Sequence, residues 1–284
     1  MTNIFIGHVH AEVSKHIENA TQGFDASLRT VVDQQTQRAL CAPRPLLQST
    51  VSVESSFQEL RSLMKGMPAY GVQFLSMAAR VLQDYKDTCF AYYKSLVMAD
   101  SDDKRIISAN WAKDEDINRF LRCLPNWLNL KDFDYDDDSV LTLSLTSGGG
   151  ERAKMIKPLD SHDEPSQESV EEMRARNSKE TEILTSNLGG DTMIPPSEIL
   201  TDFHHLKTLA HLHESLEWFA RRIHLMRESL PDPSPETLAN QHLVQVADDF
   251  QSLAETCLLT LHLEVEFFDG HFSPGVYVPP MFSL

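Results

Sequence analysis

Apolar residues recur along most of this chain at alternating steps of three and four, the spacing that places them on one face of an α-helix. The first stripe comprises Ile6, Val9, Val13, Ile17, Ala20, Phe24, Leu28 and Val31. Charged residues lie on the opposite face, so the pattern predicts a helix with one packed and one solvated side. Pro43 and Pro45 are expected to end it, because proline lacks a backbone N–H and clashes with the preceding turn.

Three further helices are predicted before residue 130. The first should begin at Ser49 or Thr50, either of which would cap its first turn, and end before Pro68. The second carries a long stripe: Phe74, Ala78, Leu82, Tyr85, Cys89, Tyr92 and Leu96. Asp114 is the predicted N-cap of the third, which Pro125 should close.

The character changes between residues 131 and 193. Residues 131–192 hold 15 acidic and 7 basic side chains, a net charge of −8. With few large apolar groups, such a segment buries too little surface to offset its ordering entropy, so a long disordered insertion is predicted. Its residues 140–145 alternate apolar and hydroxyl side chains, and one short strand is the alternative there.

Two helices with strong stripes follow this segment. The first carries Phe203, Leu206, Leu209, Leu212, Leu216, Phe219, Ile223 and Met226. The second begins after Ser234-Pro235, a cap with proline at the first helical position, and carries Leu243, Val246, Phe250, Leu253, Cys257 and Leu261. Their short connection predicts an antiparallel helical hairpin. Thr260 and Glu264 interrupt the stripe where a coiled-coil seam needs apolar groups.

These patterns predict an all-α protein of antiparallel helical bundles. We expect a helical bundle segment at residues 1–130, an acidic disordered linker at 131–193, a helical hairpin at 194–266 and an irregular tail at 267–284.

Composition narrows the function classes. The formal charge of −17 argues against binding nucleic acid, which depends on Lys and Arg. The four cysteines form no C-x-x-C pair, so buried, reduced thiols are expected rather than zinc or a disulfide framework. No run approaches the roughly 20 apolar residues of a transmembrane helix, and the start lacks the pattern of a signal peptide. A cytosolic protein is predicted.

No catalytic, cofactor-binding or metal-binding residue is assigned from motifs. The acidic run from Asp132 to Asp138 resembles the start of a calcium loop, but Asp137 and Leu143 stand where Gly and Glu are needed. No two histidines of the segment that carries the Phe203-to-Met226 stripe are spaced to bind zinc, which leaves tuning of a local contact by protonation as the alternative: His204, His205, His211, His213 and His224. Nucleophile-elbow, P-loop and dinucleotide motifs are absent from the sequence.

Three other features have structural interpretations. Gly148 to Gly150 is interpreted as a flexible tether. We interpret one stretch as a solvated face whose arginines form ion pairs with Glu, with a protein contact as the alternative: Trp218, Phe219, Arg221, Arg222 and Arg227. A further hypothesis is that phosphorylation of serines in the acidic segment changes partner access: Ser161, Ser166, Ser169 and Ser178.

Residues 32–40, 212–218 and 253–265 together resemble the middle-to-late part of the exocyst complex component 4 family. The resemblance covers roughly residues 3–265 and rests on overall similarity, since none of these strings is catalytic. It implies a rod of stacked helical bundles without cofactors, assembled with other exocyst subunits. Such a protein tethers secretory vesicles to the plasma membrane before fusion, so exocytosis and protein transport are the implied roles, at exocytic sites on the cytoplasmic side.

Two departures from the family lead us to expect a fragment or alternative isoform. The chain opens almost at once inside an amphipathic helix, so a preceding coiled-coil assembly region is expected to be missing. After Val265 the sequence no longer resembles the family. The alternatives are a helical adaptor unrelated to the exocyst and a metal-dependent helical enzyme whose ligands lie far apart in sequence.

Overall fold

A computed structural model describes residues 7–9, 11, 12, 15, 28, 30–98, 106–134, 169–188, 194, 198–228 and 238–268. The helices in these residues are α1 (Gln34–Ala39), α2 (Gln48–Gly66), α3 (Gly71–Val97), α4 (Ile107–Lys113), α5 (Glu115–Leu121), α6 (Pro125–Asp134), α7 (Val170–Asn187), α8 (Phe203–Glu228) and α9 (Leu238–Phe268), with a 3₁₀ turn at Pro68–Tyr70. Extended pairing in the described residues takes the form of isolated bridges, such as that between Val31 and Leu47, and not of strands. The all-α prediction is confirmed for this part of the chain.

The chain divides into two compact units, of which the first comprises Met1–Lys113 and Pro195–Glu264. Its four long helices are α2, α3, α8 and α9, the last as far as Glu264. One continuous core of buried side chains joins all four, although more than 100 residues separate α3 from α8 in sequence. Helices α2 and α3 therefore bury their apolar stripes against those of α8 and α9.

Side-chain contacts fix the direction of each helix pair. Between α8 and α9, residue 213 contacts 254, 219 contacts 250 and 224 contacts 248, so these helices are antiparallel. This is the antiparallel direction that the sequence predicts for the two helices. The pairs 47–215 and 54–222 make α2 run parallel to α8, and 85–250 and 93–260 make α3 parallel to α9. The tight 3₁₀ turn between α2 and α3 makes them antiparallel.

The predicted stripes form the core. All seven stripe residues of α3 are at most 6% exposed, and the α8 stripe is fully buried from Leu209 to Phe219. Phe203 is the exception, because it lies at the first position of α8 and is 69% exposed. Burial of each large apolar side chain contributes about 1.5–3 kcal/mol, so these stripes make a large favourable contribution to the folding of the unit.

The start of the chain differs from the prediction of one helix running to Pro43. Most of residues 1–27 lie outside the described residues, but Val31 is extended and pairs with Leu47. A separate short helix, α1, then begins, because the Asp33 carboxylate accepts a hydrogen bond from the Thr36 amide at 2.8 Å and caps it. The predicted cap of α2 is also wrong. Leu47 is its N-cap, and Ser49 and Thr50 lie inside the helix.

The second unit comprises Asp114–Ile194 and Val265–Leu284. Asp114 caps α5 as predicted, its carboxylate accepting from the amides of Asp116 and Ile117. Pro125 does not close the helical segment but begins α6, since proline is well tolerated at a first helical position. In α7, Arg176 donates to the Asn126 side chain at 2.6 Å and holds α6 beside it.

The expectation of disorder throughout residues 131–193 is wrong for Val170–Asn187, which form α7. Ser169 accepts from the Glu172 amide at 3.2 Å, and the Glu172 carboxylate accepts from the Ser169 amide at 2.9 Å. This reciprocal capping box supplies local stability that composition does not show. Residues 135–168, with the predicted glycine tether and possible strand, lie outside the described residues, as do the Ser234-Pro235 cap and the tail beyond Phe268. The four-segment division stays a prediction.

Candidate functional site

The centre of the first unit is a cluster of three aromatic rings from three helices. Tyr85 of α3 lies 6.1 Å from both Phe219 of α8 and Phe250 of α9, measured between ring centroids. Phe219 and Phe250 are 5.2 Å apart and meet edge to face. Such pairs contribute about 0.5–1.5 kcal/mol beyond their buried area and prefer defined geometries. The cluster therefore fixes the relative positions of α3, α8 and α9.

Hydrogen bonds of the Tyr85 hydroxyl connect this cluster to α2, the remaining long helix of the unit. The Tyr85 hydroxyl lies 3.0 Å from Ser49 Oγ and 2.8 Å from Thr50 Oγ1, both on α2 and both buried. Burial raises the pKa of Tyr85 well above its usual value, so the phenol stays neutral. A second hydroxyl pair joins Tyr93 of α3 to Thr260 of α9 at 3.0 Å. These hydrogen bonds satisfy groups that would otherwise be costly to bury.

A buried ion pair joins α2 to α8. The guanidinium of Arg222 lies 3.3 Å from Glu54, which also accepts from Gln58 at 2.9 Å. Arg222 stacks on the Trp218 ring, 5.1 Å from its centroid. The interpretation of this stretch as a solvated face is thus wrong for Arg222, Trp218 and the fully buried Phe219, because α2 covers that side of α8. The ion pair between Arg221 and Glu217, at 2.7 Å, is of the predicted kind.

The histidine stretch separates into surface and interior positions. His204 is exposed, and His205 and His224 make long carboxylate contacts, with Asp202 at 3.8 Å and Asp248 at 3.6 Å. His211 is half-buried, and burial lowers its pKa, with the charge of Lys207 acting in the same direction. His213 is 7% exposed and contacts α9.

One buried carboxylate, near the C-terminal end of α9, forms hydrogen bonds with two other chain segments. Glu264 of α9 is fully buried and accepts hydrogen bonds from the Ser108 hydroxyl of α4 and, at 2.9 Å, from the Leu200 amide before α8. Burial raises the pKa of this carboxyl above its usual value, against the smaller opposing effect of the two hydrogen bonds. Glu264 therefore connects α9 to α4 and to the segment before α8.

Two of the four cysteines are buried and two are exposed. Cys89 and Cys257 lie in the core of the unit, and burial raises the pKa of the Cys89 thiol to about 12. Both are buried, free thiols, as predicted. Cys41 and Cys123 are exposed, contrary to that prediction, because they follow short helices at the surface rather than a core stripe.

Of the four serines in the phosphorylation hypothesis, Ser169 and Ser178 lie on or beside α7 with exposed side chains. Ser161 and Ser166 lie outside the described residues, as do Asp136, Asp137 and Asp138 of the acidic run.

The interior polar pairs were not predicted. One signal was available in the sequence: Thr260 and Glu264 interrupt an apolar stripe, and both prove to be buried with polar partners. Ser49, Thr50 and Glu54 have no such signal, because their partners are 36, 35 and 168 residues away.

Sequence comparison with known proteins decides between the open alternatives. The chain is 38% identical to exocyst complex component 4 of Homo sapiens over 286 aligned residues, covering 95% of this chain and 26% of the human protein. By sequence, this chain is a relative of exocyst complex component 4. The Drosophila melanogaster component 4 is also 38% identical, over 88% of this chain and 25% of its own length.

The component 4 of Caenorhabditis elegans is more distant, at 26% identity over 92% of the chain. The chain thus spans about a quarter of the length of the component 4 proteins it matches. No protein-family model matches the chain. Among the described residues, no helix combines the length and the apolar composition of a membrane span. The comparisons favour an exocyst relative over an unrelated adaptor or a metal-dependent enzyme.

Proposed function

We propose that this chain is a structural, non-enzymatic segment of the exocyst complex that contributes to tethering secretory vesicles to the plasma membrane before fusion. The observation that carries the proposal is the 38% identity to component 4 over 95% of the chain. Similarity that extends over nearly the whole chain, rather than one motif, is typical of a protein whose helices are needed as a packed unit.

The four-helix core supports this role physically. A tethering subunit must hold docking surfaces at fixed positions, and closely packed interiors transmit strain rather than absorbing it. Here the aromatic cluster, the Arg222–Glu54 ion pair and the Glu264 contacts lock chain segments that lie far apart in sequence. The core is the rigid part of the unit. The residues on its outer faces can differ according to the partner that they contact.

The proposed partners are other exocyst subunits, and the vesicle and plasma membrane are reached through the complex. The net charge of −17 fits this indirect route, since anionic lipid surfaces attract basic segments. The proposed location is cytoplasmic, peripheral to the plasma membrane at exocytic sites.

Affinity purification of the tagged 284-residue chain from cells tests the proposal. We expect other exocyst subunits to co-purify above the level of a tag-only control, with full-length component 4 as the positive control. The variant Phe219→Ala should reduce recovery of the subunits, because it opens the core, whereas His204→Gln at an exposed position of α8 should not. Recovery of the subunits by full-length component 4 but not by this chain would contradict the proposal.

A further inference from the structure

The carboxylate of Glu264 accepts one hydrogen bond on each oxygen, and the two donors come from distant parts of the chain. Oε1 accepts from the Ser108 hydroxyl of α4, and Oε2 accepts from the Leu200 amide at 2.9 Å. The two partners lie 156 and 64 residues from Glu264 in sequence, and all three residues are buried. One side chain therefore closes two long loops of the chain.

The same three segments carry the chain out of the first unit. The chain passes from one unit to the other after Lys113, before Pro195 and after Glu264. Ser108 precedes the first of these crossings by five residues, and Leu200 follows the second by five. Within the first unit, the segments next to all three crossings are thus linked through one carboxylate.

The two segments that donate to Glu264 are short, and we call residues 106–113 and 198–202 the exit segments. Helix α4 has seven residues, and isolated helices shorter than about 12–15 residues are marginal in water. Residues 199–202 lie outside any helix. The first exit segment adds Ile106 to the shared core and the second adds Leu200, whereas α8 adds a whole apolar stripe. The exit segments therefore depend on hydrogen bonding more than the long helices do.

We propose that Glu264 fastens the two exit segments to α9 as one cooperative element, which opens and closes while the four-helix core stays folded. A buried carboxylate is costly without hydrogen-bond donors. When either segment detaches, water reaches the carboxylate and competes for the remaining hydrogen bond, so the other segment is held less tightly. Opening releases the chain next to two of the crossings and leaves the packing among α2, α3, α8 and α9 in place.

Transmission of a perturbation from α4 to Leu200 tests the proposal in the full chain. Ala109→Gly disfavours the helical state of α4 by about fivefold. Hydrogen exchange resolved by NMR then follows the Leu200 amide and the Asn110 amide, which donates to the Ile106 carbonyl at 3.2 Å. Both amides should exchange about fivefold faster, although Leu200 lies in the other exit segment. No change at Leu200 would overturn the proposal.

Variants of Glu264 show whether the carboxylate transmits this effect. In Glu264→Ala, the Ala109→Gly substitution should accelerate the Asn110 amide but not the Leu200 amide. In Glu264→Gln the effect on Leu200 should remain, because the side-chain amide can accept from Leu200 and donate to Ser108. The proposal is wrong if the effect persists in Glu264→Ala or is lost in Glu264→Gln. If Glu264→Ala does not fold, Ser108→Ala removes one hydrogen bond and should abolish the effect on Leu200, and its persistence there counts against the proposal.

Two controls define the extent of the opening. Ala175→Gly makes the same substitution at an exposed position of α7, outside the first unit, and should leave exchange at Leu200 unchanged. In the parent chain, the Leu200 and Asn110 amides should share one free energy of opening that is lower than that of Tyr85 and Phe219 in the core. A Leu200 amide that opens with the same free energy as the core amides would show that the exit segments detach only when the whole unit unfolds, which contradicts the proposal.

Discussion

Helices α7 and α8 form for different physical reasons. From Thr208 to Arg227, α8 has no exposed residue, and its leucine and phenylalanine stripe contacts α2, α3 and α9. In α7 only Glu180 and Leu184 are buried, and Val170 and Met173 are exposed. Helix α8 is stabilised by tertiary burial along most of its length, while α7 buries few side chains and has a capping box that stabilises its first turn.

This difference explains which helices the sequence predicts. Because apolar periodicity indicates burial, the stripes of α3, α8 and α9 predicted both these helices and much of the core. A capping box is a local feature worth about 1 kcal/mol, and the acidic composition around α7 obscured it. A segment that lacks an apolar stripe can still be helical when its own side chains accept hydrogen bonds from the free amides of its first turn.

The largest expected effect is at the centre of α8. Phe219→Ala should destabilise the first unit by about 3–5 kcal/mol, because it leaves a cavity between Tyr85 and Phe250. Denaturant unfolding followed by circular dichroism measures the change. Met173→Ala on the exposed face of α7 is the matched control and should stay within about 0.5 kcal/mol. Equal losses in the two variants would break the distinction between the helices.

A smaller effect is expected where the core contains a polar group. Glu264→Ala should be about 1–3 kcal/mol less stable than Glu264→Gln, because only glutamine keeps an acceptor for the Leu200 amide. Denaturant midpoints of the two variants give the difference. Equal midpoints would show that this contact does not help to hold the segment before α8.

The pH dependence at Glu264 has a definite sign. Burial raises the pKa of this carboxyl in the folded chain above the ordinary 4.5. Its favourable contribution is therefore complete below about 4.5 and is lost as the pH rises through the raised value. Glu264→Gln cannot ionise, so its stability relative to the parent chain should increase between pH 4 and 7. A decrease over that range in paired denaturation series would contradict the assigned cause.

A local effect is expected at the start of α7. Ser169→Ala removes the cap and should cost about 1 kcal/mol in that helix alone. Hydrogen exchange resolved by NMR should show faster exchange of the first-turn amides of α7, with the amides of α8 unchanged. Ser178→Ala, at an exposed position within the same helix, is the control. Unchanged exchange at Glu172 would contradict the stabilising role of the capping box.

The smallest effect is expected at the surface of α8. His224→Ala removes a contact with Asp248 at 3.6 Å, and exposed pairs of this kind contribute about 0.2–1 kcal/mol. Raising the salt concentration should reduce the difference from the parent chain. A loss that exceeds that of the Glu264 comparison would show that surface pairs, rather than the interior, position α9.

The interior polar pairs mark the limit of prediction from one sequence. Stripe positions show which residues are inside, and Thr260 and Glu264 showed that some of them are polar. Partners such as Glu54 and Arg222 depend on how α2 lies beside α8. That arrangement is set by the packing of the whole core, so neither partner could be chosen from its own neighbours in sequence.

The start of α2 also depends on contacts that sequence does not show. Ser49 and Thr50 bond the Tyr85 hydroxyl instead of capping the helix. The Leu47 amide donates to Ser215 of α8, which lies 168 residues further along the chain. A cap predicted from residue type alone was therefore wrong, because tertiary partners compete for the same hydroxyl groups.

Native-state hydrogen exchange across the full chain tests the central claim most directly, namely that two distant segments form one four-helix core. The most protected amides of α2, α3, α8 and α9 should exchange with one common free energy, because they open only by unfolding of the unit. Those of α7 should exchange with a lower one. If α8 and α9 became unprotected while α2 and α3 stayed protected, the claim of a shared core would be contradicted.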